Sequence, residues 1–163
     1  MIQRILNYFM GRNTTFYQAS FKPKNPSKCI NIKNGKLPYA RSSWETRMFN
    51  WCDTNDNVIH WGSEIVEIPY IFEVDQKIHK YYPDIWCKLK DVNGKEQIYL
   101  IEIKPQKQTT PPKVPKNKTK KSIKNYNYAR YHYIKNKNKW KFAQQYCETR
   151  MWKFRVMSEG TLF

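Results

Sequence analysis

Two runs of alternating apolar residues, 84–90 and 95–104, stand on either side of the short polar stretch Asp91-Val92-Asn93-Gly94. Together they read as an antiparallel hairpin, and its turn decides which residues share a face. Sliding the pairing by one residue would move every side chain to the opposite side of the sheet. A two-residue Asn93-Gly94 turn would pair Val92 with Lys95 and set Asp84 opposite Ile103, on the wrong side from Glu102. A three-residue loop, Val92-Asn93-Gly94 in a type I turn with a left-handed Gly94, pairs Asp91 with Lys95 instead. Counting outward equally from that pair brings Asp84 opposite Glu102, with Lys104 two residues along on the same face. The other face reads Tyr81, Ile85, Cys87 and Leu89 against Tyr99, Ile101 and Ile103, a continuous hydrophobic surface. One side is core, and the other carries two acids and a lysine.

Opposed residues in such a pair have Cβ atoms roughly 4.5–5.5 Å apart. Two carboxylates that close repel, which raises one pKa unless a cation lies between them. A hard divalent ion bound through oxygens relieves the repulsion, and magnesium, which takes few protein carboxylates, suits the pair, with manganese as a substitute. Pro83 can open a strand but not sit inside one, so Asp84 is expected near a strand end, where a cleft could admit a ligand. The plainer reading of these residues is an exposed face on which Lys104 simply pairs with an acid.

The rest of the chain supplies an α/β frame. Residues 42–54 read as a helix: Ser42 can cap it, Glu45 completes an S-x-x-E box, and Trp44, Met48, Phe49 and Cys52 form an apolar side. Glu45 is thus either the capping partner of Ser42 or a third acid on an inward-facing side. Residues 58–72 give a first strand or strand pair, followed by the two strands of the hairpin. A proline- and lysine-rich loop extends to Lys121. Two helices are then expected, 122–134 and 138–150, the second capped by Asn138, and residues 152–158 supply a last strand. The order predicts a mixed central sheet of about four strands flanked by helices. Residues 1–10 read as a short amphipathic helix ended by Gly11, too short and too polar for a membrane span or a cleavable leader. With the basic, irregular stretch that follows, they form an arm over 1–40, ahead of a domain over 41–163.

Charge points to the partner. Thirty Lys and Arg stand against 13 Asp and Glu, a formal +17, which predicts either binding to a polyanion, nucleic acid first among them, or a generally basic, solubilising surface. No acid occurs between Ile103 and Cys147. Lys107, Lys113, Lys116, Lys118, Lys120, Lys121 and Lys124 are therefore the expected DNA contacts, able to line phosphates without reading bases. Tyr126, Tyr128, Tyr131 and Tyr133 either stack on unpaired bases or pack into the core. Cys29, Cys52, Cys87 and Cys147 show no C-x-x-C pair, so they read as buried thiols of a reducing compartment rather than zinc ligands. Metal-assisted phosphodiester hydrolysis is the chemistry that such acids, a lysine and a basic surface would share. No aromatic motif of the kind that marks RNA-binding sheets is present.

The "PD" at Pro83-Asp84, followed by "EIK" at Glu102–Lys104, resembles the PD-(D/E)xK nuclease superfamily, with its restriction-endonuclease-like core of helix, three strands, helix and strand. The wider run of "FKPKNPSK", "YARSSWETRMFNWCD", "WGSEIVEIPY", "HKYYPDIWCK", "YLIEIKP", "KWKFAQQYCETR" and "KFRVMSE" is similar to the head completion nucleases of T-even-like tailed bacteriophages. A related arrangement occurs in transposition-associated endonucleases. The resemblance implies a magnesium-dependent DNA endonuclease that finishes the packaged DNA end before neck and tail join. It also implies portal or neck proteins as partners, no membrane, and a location in the virion and the host cytoplasm. Carried over by position, Glu45 matches the acid of the first helix, Asp84 the motif aspartate, and Glu102 and Lys104 the E-x-K pair. Glu45, Asp84 and Glu102 would then hold the metal. The alternative is a catalytically silent, basic DNA-binding structural protein of the phage neck.

Overall fold

The structure, a computed structural model, describes residues 18–159. The helix expected at 1–10 lies outside them.

The hairpin closes as its turn residues dictate. The N–H of Asp91 donates to the Lys95 carbonyl at 2.9 Å, and Gly94 N–H donates to the Asp91 carbonyl at 3.1 Å. Gly94 has φ +76°, the left-handed conformation that a three-residue loop requires and glycine adopts without a Cβ penalty. The Asp91 carboxylate fastens the turn by accepting from the N–H groups of Asn93 and Lys95. Beyond it run β6 (Ile85–Lys90) and β7 (Glu96–Ile103), with Ile85 opposite Ile101 and Lys90 opposite Glu96.

From Val58 to Ile103 the chain forms five strands, where three or four were expected. Residues 58–72 divide into β3 (Val58–Ser63) and β4 (Ile68–Phe72), and the stretch 79–90, which reads as one strand, is broken at Pro83 between β5 (Lys77–Tyr81) and β6. β4 and β5 pair only with each other, as a separate antiparallel ribbon. The central sheet has the order β3-β6-β7-β8, antiparallel except that β8 (Lys153–Met157) joins β7 in parallel. This is the mixed four-stranded sheet expected. Its two short companions, β1 (Ala19–Ser20) and β2 (Tyr39–Ala40), pair outside it.

A parallel return needs a crossover, and one long helix makes it. Residues 120–148, expected as two helices, form the single helix α4 (Lys120–Glu148), capped by the Thr119 hydroxyl, which accepts from Ser122 N–H. No glycine or proline interrupts it. Asn138, read as a cap, lies inside the helix and turns its amide outward: it accepts from Glu73 N–H at 2.9 Å and donates to the Glu73 carboxylate at 3.1 Å. The residue thus ties the helix to the β4–β5 ribbon instead of starting a helix of its own.

Each face of the sheet buries a different cluster. Against one face lies α2 (Ser43–Thr54), whose Met48, Phe49 and Cys52 meet Val58, Trp61, Ile85, Cys87, Ile101 and Ile103. Against the other, Ala143 and Cys147 of α4 meet Leu100 and Phe154, with Ile68, Tyr70, Phe72 and Tyr81 of the ribbon. The alternation along β7 explains the split, since Ile101 and Ile103 face one layer and Leu100 the other. The basic segment before α2 is docked rather than loose. It contains a 3-10 turn, Pro26–Lys28, and the short α1 (Ile30–Lys33), and Cys29 and Ala40 are fully covered. The buried Asp53 carboxylate accepts from Lys24 N–H at 2.7 Å and Asn25 N–H at 3.1 Å, while the Asn31 amide bridges both backbone groups of Ser63. All four cysteines are free and buried. Residues 106–109 form a last short helix, α3 (Gln106–Thr109).

Candidate active site

The site forms where the β6–β7 pair meets the ribbon. Asp84 stands one residue before β6, after the break at Pro83, and Glu102 lies one residue before the end of β7. The register that puts Ile85 opposite Ile101 brings the two acids opposite each other. Glu102 is only 2% exposed. Its Oε1 accepts from Lys104 Nζ at 2.8 Å and its Oε2 from the Tyr81 hydroxyl at 2.7 Å. Asp84 Oδ2 accepts from the Ile103 N–H at 2.7 Å and lies 3.9 Å from Lys104 Nζ. Lys104 is held from behind by its own N–H, which donates to the Met157 carbonyl of β8 at 2.9 Å.

The electrostatics follow from this crowding. Burial, reinforced by repulsion from Glu102, pushes the Asp84 carboxyl well above the usual carboxylate range, despite the opposing pull of Lys104 and of the Ile103 N–H. Burial works against the Lys104 ammonium, but Glu102 and Asp84 outweigh it and keep the group protonated beyond its ordinary range. Burial likewise drives the Tyr81 hydroxyl upward, and the neighbouring Glu102 adds to the shift, so Tyr81 is a fixed donor.

Glu45 occupies a different position from the other three. Its N–H donates to Ser42 Oγ, its Oε1 accepts from the Ser42 hydroxyl at 2.8 Å, and its Oε2 accepts from Arg41 N–H at 3.0 Å. The Ser42 half of the capping box is formed, while the Glu45 carboxylate reaches past the Ser42 N–H to that of Arg41 and takes the Ser42 hydroxyl as well. The charge of Glu45 still acts on Asp84 and Lys104, adding to the upward shift of both. Among the described residues no three His, Cys, Asp or Glu side chains stand close enough to hold a metal ion between them. Asp84, Glu102 and Lys104 come together, and Glu45 borders them with its oxygens engaged at the helix start. The donor set of Asp84 and Glu102 fits a hard divalent cation: both offer oxygen only, their mutual repulsion is what a cation would relieve, and one or two carboxylates are the usual protein share for a small ion of this kind.

Three neighbours escaped the sequence. Alternation puts Tyr81 on the hydrophobic face of the hairpin; it ends the ribbon instead and points its hydroxyl at Glu102. Lys139 of α4 lies with Nζ 5.2 Å above the Tyr81 ring. Burial lowers its pKa, only partly offset by the nearby Glu102. Nothing in the sequence distinguishes Lys139 from the other lysines of that helix. Arg41, paired with the Glu64 carboxylate, is the third, near enough to Glu45 and Asp84 to feel both charges.

The seven lysines expected to meet DNA are all exposed. Lys107 is on α3, Lys113, Lys116 and Lys118 follow it in the loop, and Lys120, Lys121 and Lys124 occupy the first turns of α4. The first turn of α4 has no acidic residue, so its lysines add to the positive end of the helix dipole instead of opposing it. Of the tyrosines, Tyr131 packs its ring edge-on against Phe72, with centroids 5.3 Å apart, whereas Tyr128 is 68% exposed.

A sheet of this order between two helical layers, with opposed acids and a lysine at one end of its central strands, is the frame of an endonuclease domain. The family described as TnsA-like endonuclease N terminal matches residues 55–159. A curated relative, the head completion nuclease of Enterobacteria phage T4, is 40% identical over 146 residues, which cover 90% of this chain and 93% of that protein. The chain belongs to this family of head completion nucleases, built on the TnsA-like endonuclease domain. No solved structure matches it. Among the described residues no helix is long and apolar enough to cross a membrane.

Proposed function

We propose that this protein is a metal-dependent DNA endonuclease that finishes the packaged DNA end during head completion, before neck and tail join. The observation that carries the reading is the meeting of Asp84, Glu102 and Lys104 within hydrogen-bond or ion-pair distance, at one end of the central sheet, in a chain of formal charge +17. The 40% identity to a protein named for nuclease activity and head completion supports the same reading.

In this mechanism Asp84 and Glu102 would hold magnesium, with manganese as a substitute, and Glu45 would contribute its charge from the border of the site as the third acid. Bound there, the ion would supply charge neutralisation at the scissile phosphate and a water of lowered pKa. Lys104 keeps a positive charge beside the acids, where it can orient the attacking water or balance the negative charge that builds on the phosphate. Tyr81 fixes the Glu102 carboxylate in one orientation by donating to Oε2. The exposed lysines from Lys107 to Lys124 hold the DNA backbone without reading sequence. Portal or neck proteins are the partners in this reading, and the virion and host cytoplasm its setting.

A second reading, a silent structural protein of the neck, draws support from one contact. Lys104 already neutralises Glu102 at 2.8 Å, so the cluster is satisfied as it stands. One experiment separates the two. Purified protein is incubated with linear, supercoiled and branched DNA plus magnesium or manganese, beside Glu102→Ala and EDTA controls. Cleavage that both controls abolish supports the nuclease, whereas salt-sensitive binding with no cleavage of any substrate supports the structural protein.

A further inference from the structure

A cleft of about 640 Å³ opens between the segment after β7 and the N-terminal half of α4. Its size is that of pockets that hold small-molecule-sized groups. Lys107, Pro111 and Lys113 line one wall, and Tyr128, His132 and Tyr133 the other. The Tyr128 and His132 rings lie 4.3 Å apart, so two aromatic groups face the opening as a pair. Tyr128 keeps 68% of its surface in solvent, which distinguishes it from Tyr131, whose ring leans on Phe72. The chain from Ile103 to Cys147 contains no acid, so whatever enters meets only positive or neutral groups. Cations on one wall and aromatic faces on the other are complementary to a phosphate joined to a flat ring.

We propose that this cleft binds an unpaired nucleotide of a DNA strand, a few nucleotides along from the phosphate that is cut at Asp84 and Glu102. A base inside a duplex is covered on both faces by its neighbours and has none to offer Tyr128, whereas an unpaired base has. Two stretches of chain lead from the cleft to the acidic site. Lys107 follows Lys104 by three residues, and Lys139, above the Tyr81 ring, follows His132 on the same helix by seven. Seven helical residues rise about 10 Å, roughly three nucleotides at about 3.4 Å each along a strand. The substrate class is therefore DNA with a single-stranded end or flap within a few nucleotides of the cut. This placement rests on the nuclease reading above, but binding in the cleft can be measured without cleavage.

The test is fluorescence anisotropy of the full chain in EDTA, with a blunt duplex and an overhang duplex carrying equal numbers of phosphates. The wild type is expected to bind the overhang about 10-fold more tightly, the order of magnitude of one base–aromatic stack. Tyr128→Ala should reduce that preference below about 2-fold and leave blunt-duplex affinity unchanged, while Tyr128→Phe, which keeps the ring, should retain it. Thermal melts of both variants establish that the fold is intact. Equal wild-type affinity for the two DNAs, or an equal loss on both in Tyr128→Ala, overturns the proposal. An overhang preference in a protein that cleaves nothing would sustain the cleft and end the nuclease reading. Cleavage of both DNAs with no binding preference would do the reverse.

Discussion

The Tyr81 hydroxyl reaches Glu102 Oε2 at 2.7 Å from a ribbon that shares no strand with the central sheet. The bond joins a neutral donor to a buried carboxylate, so deleting it leaves an acceptor without its partner. Tyr81→Phe should lower stability by about 2 kcal/mol. It should also weaken metal affinity and cleavage by roughly 10-fold or more, through loss of the fixed carboxylate orientation. Chemical denaturation and calorimetric metal titration measure the two effects separately.

Asp84 carries a stability penalty whose sign can be worked out. Its folded pKa lies above the unfolded value of about 3.9. Between those two values the folded state binds the extra proton, so stability falls as pH rises through that window, and the penalty is complete above the folded pKa. Asp84→Asn removes the penalty while keeping an oxygen for the Ile103 N–H. In EDTA at pH 8 the variant should melt higher by about 3 °C, or about 1 kcal/mol, with the advantage shrinking as pH falls toward 4, and it should not cleave DNA. Calorimetric scans across pH check this.

Lys104 offsets two buried carboxylates at once. Removing one partner of a buried ion pair leaves uncompensated charge, and a quarter of the Lys104 side chain is in solvent, which softens the loss. Lys104→Ala should therefore cost about 2 kcal/mol at neutral pH and reduce cleavage by at least about 100-fold. Urea unfolding and single-turnover cleavage at saturating protein provide the two measurements.

Lys120 and Lys121 sit where the α4 dipole is already positive. Their contacts to phosphate release counterions, so changing both to Gln should flatten the dependence of log affinity on log salt by about 2 units. The loss should be the same for unrelated sequences, because backbone contacts carry no sequence information. Binding titrations from low to moderate salt on two different duplexes test both statements.

Asp53 anchors the segment before α2 by accepting from two backbone N–H groups while itself fully buried. Asp53→Ala strands both donors and should destabilise the protein by about 3 kcal/mol. Limited proteolysis should then cut first near Lys24 and Lys28, upstream of an otherwise intact core.

The opposition of Asp84 and Glu102 was legible because the Gly94 turn fixes parity and parity propagates along an unbroken ladder. The same counting failed for Tyr81. Pro83 interrupts the strand, and an argument from alternation does not survive an interruption, so Tyr81 was placed with the hydrophobic face when it points at Glu102. Asn138, a residue that favours caps, suggests two helices where α4 is one; its amide bonds Glu73, a tertiary contact with no local signature. Glu45 can be seen as an inward acid and as a cap partner, and its carboxylate is held at the helix start by the Ser42 hydroxyl and the Arg41 N–H. Lys139 was beyond sequence reasoning, since only the packing of α4 on the ribbon singles it out from its neighbours.

The pairing of β8 alongside β7 has a consequence for the order of events in the cell. Lys104 takes its backbone anchor from Met157, some fifty residues later in the chain and on the far side of α4. A nascent chain that has emerged only as far as the helix already owns every charged group of the centre, yet lacks the strand that steadies one of them. Under the nuclease reading the centre is therefore complete only once β8 has docked beside β7, a dependence that arises from connectivity alone.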